Sequence, residues 1–116
     1  MKKSVLLLGK KGSGKTFRLD ELLLMADANG LRTTQMRFTD FQVLNKTELK
    51  TQFDLIAIDR VGVSDIDYLS MAIRAFGFIL IVASEKSIKE LETVDLSVFD
   101  VVECSYSEGV YSYTCA

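Results

Sequence analysis

Gly9-Lys10-Lys11-Gly12-Ser13-Gly14-Lys15-Thr16 sets glycines, a lysine and a hydroxyl at the spacing G-x-x-x-x-G-K-T. Together these residue types make an anion-binding loop. Glycine reaches positive φ at no steric cost, so consecutive backbone N–H groups can turn inward on one phosphate. Lys15 adds a full charge for the β- and γ-phosphates of a nucleotide, and the Thr16 hydroxyl is placed to hold Mg²⁺. Lys10 and Lys11 add positive charge at the loop. Such a loop needs a strand to deliver it and a helix to leave it, because the helix N-terminus supplies the rest of the positive field. Val5-Leu6-Leu7-Leu8 predicts the strand. Leu19, Leu22, Leu23 and Ala26 recur at helical spacing opposite Asp20, Glu21 and Asp27, and Gly30 is a natural stop.

A second element brings acid. Phe53-Asp54-Leu55-Ile56-Ala57-Ile58-Asp59 is an apolar run ending in a carboxylate, the pattern of a strand buried on both faces. Asp59 is expected near Thr16, holding Mg²⁺ through water. On these two motifs, a Walker A loop and a Walker B-like strand, the chain resembles the P-loop NTPase superfamily. The likeness is carried mainly by residues 4–28. It implies binding of Mg²⁺ and ATP. In order and spacing the chain is similar to a minimal AAA+ or RecA-like core of the additional-strand class. Helicase-loader and transposition-helper ATPases are examples, as are packaging and conjugation motors of the FtsK/HerA group. Those families imply a protein partner or homo-oligomer, and nucleic acid reached through a complex. The lid and second sensor of the larger members have no counterpart here.

One departure matters for chemistry. Many additional-strand ATPases place a glutamate directly after the Walker B aspartate to activate water; here that position is Arg60. Arginine cannot serve as a base. Hydrolysis is then slow, or another carboxylate acts, and Asp40 and Glu85 are the candidates. Each also reads as an ordinary surface or capping acid. Ser84 resembles a sensor touching the γ-phosphate, and equally a capping serine. Arg60, Arg74 and Arg18 are candidates for an arginine supplied in trans within a ring, or are simply solvated. Asp59-Arg60-Val61-Gly62 also fits the D-x-x-G of GTPases. The guanine-reading N-K-x-D finds only Asn45-Lys46-Thr47-Glu48, which precedes Asp59. GTP is therefore disfavoured against ATP.

The remaining pattern alternates. Arg32 to Phe38 predicts a second strand. Thr39-Asp40-Phe41-Gln42 predicts a capping box opening one short helix with Phe41, Leu44 and Leu49 as its apolar positions. Ser64 is expected to cap a helix with Ile66, Leu69, Ile73 and Phe76 on one stripe. Phe78 to Val82 and Val98 to Cys104 predict two more strands, with a capping box at Ser87-Ile88-Lys89-Glu90 between them. Ser107-Glu108-Gly109 turns the chain into Val110-Tyr111-Ser112-Tyr113, an edge hairpin. Its tyrosines, with Tyr106, offer rings for edge packing or for stacking on bases. The expected fold is α/β: a three-layer αβα P-loop sandwich on a mostly parallel five-stranded sheet, with a C-terminal antiparallel edge hairpin.

Composition narrows the classes. With 116 residues, one domain over 1–116 is expected. The net charge of −2 sets up no whole-chain basic field for nucleic acid. Histidine is absent and there are two cysteines, Cys104 and Cys115, so a zinc site is not expected. The missing histidine also removes the usual base of serine and cysteine hydrolases. No apolar run approaches a membrane span, and Met1-Lys2-Lys3 leads into too short a run for a signal peptide, which predicts a cytoplasmic chain with free thiols and no membrane partner. The reading that fits best is a Mg-ATP-binding protein, a weak or assembly-activated ATPase serving a nucleic-acid machine. A nucleotide-dependent binding module without hydrolysis and a small-molecule phosphotransferase are the alternatives.

Overall fold

The computed structural model describes residues 3–116; Met1 and Lys2, part of the leader reading, lie outside them. The first strand, β1 (Ser4–Leu8), feeds the glycine loop and helix α1 (Lys15–Ala28). Then follow β2 (Thr33–Met36), α2 (Phe38–Val43), α3 (Lys46–Gln52), β3 (Leu55–Ile58), α4 (Val63–Phe76) and β4 (Leu80–Ser84). A 3₁₀ turn over Ile88–Leu91 precedes β5 (Phe99–Ser107) and β6 (Val110–Cys115). The strands form one six-stranded sheet in the order β2-β3-β4-β1-β5-β6, parallel except for the antiparallel β5–β6 pair. The sheet is as expected, with the hairpin extending it by one edge strand.

Alternation along the central strands sorts their side chains into two layers. Leu6, Leu8, Ile56, Ile58, Leu80 and Val82 face α2, α3 and α4, where Phe41, Leu49, Ile66 and Leu69 are buried. Leu7, Leu55, Ala57, Ile81 and Ala83 face α1 through Leu19, Leu22 and Ala26. Each fully buried leucine or isoleucine contributes about 1.5–3 kcal/mol. The α1 side carries alanines at 57 and 83, small side chains that leave room for the helix beside the ends of β3 and β4. That packing brings the start of α1 beside the carboxyl end of β3.

Three local expectations are corrected. The single helix opened by Thr39 is two short helices. Arg37 stands at the N-cap of α2 without a side-chain bond, and Thr39 lies inside the helix. The break comes from Lys46, whose Nζ donates to the carbonyls of Phe41, Gln42 and Leu44 at 2.6, 3.1 and 2.9 Å. A cation there satisfies the last carbonyls of α2 and ends it. Asn45 then caps α3, accepting the Glu48 N–H at 3.0 Å. For α4, the cap position is Gly62, not Ser64; the Gly62 N–H donates to Asp65 at 2.9 Å. Strand β4 begins at Leu80, with Phe78 turned into the core against Phe41 at 5.4 Å between ring centroids.

Two strand ends also differ from the expected ones: β2 covers Thr33–Met36, with Phe38 opening α2 instead of ending the strand, and β5 runs past Cys104 to Ser107, where it pairs with β6. The remaining turns and caps follow the sequence. Gly30 takes φ 84° just past α1. Ser87 and Glu90 form the anticipated reciprocal cap. Glu108 and Gly109, at φ 51° and 78°, make the two-residue turn whose twist suits a hairpin. No helix among the described residues is long and apolar enough to cross a membrane.

Candidate functional site

The loop leaves the carboxyl end of β1, the edge at which open α/β sheets bind ligands. Gly12 and Gly14 hold φ of 81° and 88°. Gly9 is constrained differently: a Cβ there would stand 2.6 Å from the Cys104 carbonyl on β5. Helix α1 starts from Gly14 with no side-chain cap and no acid in its first turn. The orphan N–H groups and dipole of that turn are therefore left for an anion. Lys15 is buried, with Nζ donating to the Lys10 carbonyl at 2.9 Å. That bond holds the lysine within the loop.

Thr16 and Asp59 meet here. The Thr16 hydroxyl donates to Asp59 Oδ2 at 3.1 Å, and Oδ1 accepts the Arg60 N–H at 2.8 Å. A hydroxyl and a carboxylate bonded to each other in the lining of one cavity are hard oxygen donors of the kind Mg²⁺ takes, so the pair fits that ion. A cavity of about 610 Å³ contains both, with Lys11, Gly12, Gly14, Lys15, Phe17, Arg60, Glu85 and Tyr111. Of the two carboxylates nominated as a base, Glu85 is in this cavity. Asp40 does not line it; it sits in α2, paired with Arg37 at 3.2 Å.

Ser84 is fully buried and committed. Its hydroxyl donates to the Val61 carbonyl at 2.6 Å and accepts the Lys86 N–H at 3.2 Å, while its carbonyl accepts the Gly9 N–H at 3.2 Å. It fastens the phosphate loop, the Asp59 turn and the end of β4 together rather than lining the cavity. Ser13 is buried with its hydroxyl unpartnered. Arg60 takes a left-handed φ of 59° beside Asp59. Arg74 lies near the far end of α4, about 16 Å along its axis from the site end, paired with Asp95 and bonded to Ser97 at 3.3 Å. Arg18 pairs with Glu21 and lies over the Tyr113 ring, 5.4 Å from its centre.

The C-terminal hairpin was not foreseen at the site. Tyr113 donates to the Gly14 carbonyl at 3.3 Å, and Tyr111 lies nearly parallel to Phe17 with centroids 6.3 Å apart. Burial, then the neighbouring Cys104 and Glu21, push the Tyr113 hydroxyl up, which keeps it a donor. Burial raises the Cys104 thiol against the pull of Lys15 and Arg18, so Cys104 is a neutral packing group. The sequence signal was the same-face spacing of Tyr111 and Tyr113, which says nothing of what that face covers.

No protein-family model matches the sequence, and no curated protein does. By structure the chain is similar to AMPPCP-bound DnaA from Aquifex aeolicus, with a TM-score of 0.57 and 21% identity over 89% of this chain and 40% of that one. The replication initiator DnaA bound to AMPPCP and single-stranded DNA gives 0.58 and 21%, over 89% and 40%. A DNA replication initiation factor gives 0.59 and 21%, over 90% and 41%. The fold is AAA+-like. The chain spans about two-fifths of the length of these proteins, and at this identity the likeness is one of architecture.

Proposed function

We propose that the chain, as a single P-loop domain over residues 1–116, binds Mg-ATP in the cytoplasm and works as a weak or assembly-activated ATPase in a nucleic-acid machine. The observation that carries the binding half is the uncapped, acid-free start of α1 beside the Thr16–Asp59 pair. Cationic donors and hard oxygen ligands converge on one cavity, which suits a triphosphate and its metal. Gly9 to Thr16 supply the loop amides, and Lys15 exchanges the Lys10 carbonyl for phosphate oxygens. Thr16 and Asp59 would hold Mg²⁺, which when bound neutralises charge on the β- and γ-phosphates. AMPPCP in two of the similar DnaA structures supports an adenine nucleotide, and the single-stranded DNA in one supports a nucleic-acid setting.

Hydrolysis asks for a base. Arg60 is not one, Ser84 is spent on structure and Asp59 is assigned to the metal, which leaves Glu85 as the cavity carboxylate for that role. Water held by Glu85 would attack the γ-phosphate; a missing base costs roughly 10²–10⁴ in rate. The same observation favours a second reading, a nucleotide-dependent module that recruits a partner without turnover. Calorimetry with Mg-ATP tests the first half: binding that Lys15→Ala weakens is expected, and no heat from the wild-type chain rejects the reading. Single-turnover phosphate release, with and without DNA, separates the ATPase from the module.

A further inference from the structure

The cavity has two chemically different ends. Strand order sets β3, with Asp59, four strands from β6, roughly 19 Å at the usual spacing. Tyr111 nevertheless reaches back over the loop and lines the same cavity as Lys15, Thr16 and Asp59. Its ring is so close that a Cβ on Gly14 would stand 2.6 Å from Cδ1. The ring is held from several directions. Phe17 lies parallel to it, with an interplanar angle of 10°, and Tyr106 stands 4.7 Å away, centre to centre. The neighbouring Tyr113 ties the strand to Gly14. Even so, Tyr111 is 48% exposed and Phe17 64%, so aromatic surface remains open to a ligand. The charged neighbour at that end, Arg18, is engaged by Glu21 and the Tyr113 ring.

We infer that the Phe17–Tyr111 pair is the platform on which the base of the bound nucleotide stacks, so that this chain uses its C-terminal hairpin to hold the nucleobase. The inference rests on the triphosphate reading above. A ligand with an anionic tail and a planar aromatic head matches the two ends: the tail on Lys15 and the loop amides, the head on the rings. Stacking tolerates any base, since every base has a π-face. The platform by itself does not choose between bases, so its own contribution to ATP and to GTP binding is expected to agree within about tenfold, one tenfold step being about 1.4 kcal/mol.

The test compares ATP, GTP and inorganic tripolyphosphate, each with Mg²⁺, on the wild type and on Tyr111→Leu and Tyr111→Phe. Leucine keeps apolar contact with Phe17 and removes the π-face. The expected result is a loss of roughly 5- to 100-fold for ATP and GTP in Tyr111→Leu, with tripolyphosphate unchanged and Tyr111→Phe like wild type. Nuclear Overhauser contacts between base protons and the Tyr111 ring in the wild-type chain give the same answer without a variant. Equal ATP affinity in Tyr111→Leu, or contacts to a different surface, overturns the platform and leaves the phosphate site standing. A wild type that binds neither ATP nor tripolyphosphate overturns both. Loss of single-stranded oligonucleotide binding in Tyr111→Leu, with ATP affinity intact, overturns it in favour of a nucleic-acid surface.

Discussion

The Ser84 hydroxyl donates to the Val61 carbonyl at 2.6 Å, joining the end of β4 to the turn that carries Asp59. Both ends of this bond are buried, so its loss leaves an acceptor with no water to replace the partner. Ser84→Ala is expected to lower stability by about 1–3 kcal/mol, measured by urea denaturation. A residue that only sensed the γ-phosphate would leave the unfolding midpoint where it was.

Lys15→Ala is expected to weaken nucleotide binding by about 1.5–3 kcal/mol, the scale of a hydrogen bond to a charged group. Thermal stability should change little, because the partner given up is a loop carbonyl that water can reach. Titration calorimetry reads the first quantity and a melting curve the second.

Thr16→Val keeps the shape of the side chain and removes the hydroxyl that faces Asp59. Affinity for Mg-ATP is expected to fall while metal-free ATP is bound as before. Titrations with and without EDTA make the comparison, and an equal loss in both would remove Thr16 from the metal site.

Glu85 and Asp40 differ in placement, one in the cavity and the other paired with Arg37. Glu85→Gln should therefore depress single-turnover phosphate release by roughly 10²–10⁴, the worth of a general base. Asp40→Asn should leave it unchanged. The reverse outcome would return the role to the acid after β2.

Asp54 and Arg32 form a pH-dependent contact. The Asp54 carboxylate accepts the Arg32 backbone N–H at 2.8 Å and the guanidinium at 3.0 and 3.2 Å. The Arg32 side chain first, then its backbone N–H, lowers the Asp54 carboxyl to about 2. The unfolded value is about 3.9. Because the folded value is the lower one, the stabilisation is present above about pH 4 and is lost as pH falls toward 2. Asp54→Asn should be less stable than wild type at neutral pH, and the two should converge in acid. Denaturation midpoints from pH 7 down to pH 2 measure the convergence.

Local signals were the ones the sequence carried plainly. The glycine loop between Leu8 and α1, the run Leu55 to Ile58 and the Glu108-Gly109 turn each need only a few neighbouring residues to declare themselves. The division of α2 from α3 was hidden because Lys46 acts by reaching back to three carbonyls, which no capping pattern encodes. Ser84 looked like a sensor because its type and its place after a strand fit, while its partner Val61 comes from another strand's turn. The choice between Asp40 and Glu85 depended on the strand order, which places β4 beside β1 and β2 at the outer edge. Tyr113 and Gly14 are farthest apart of all, 99 residues along the chain. Contacts of that reach come from topology, not from pattern.

That same bond makes the sixth strand a listener to the first helix. Any guest that tightens Gly14 also tightens Tyr113, and through the β5–β6 ladder the tip at Val110. Slower amide exchange along β6 would then report a filled loop, a reading taken at the sheet's edge of what happens at its centre.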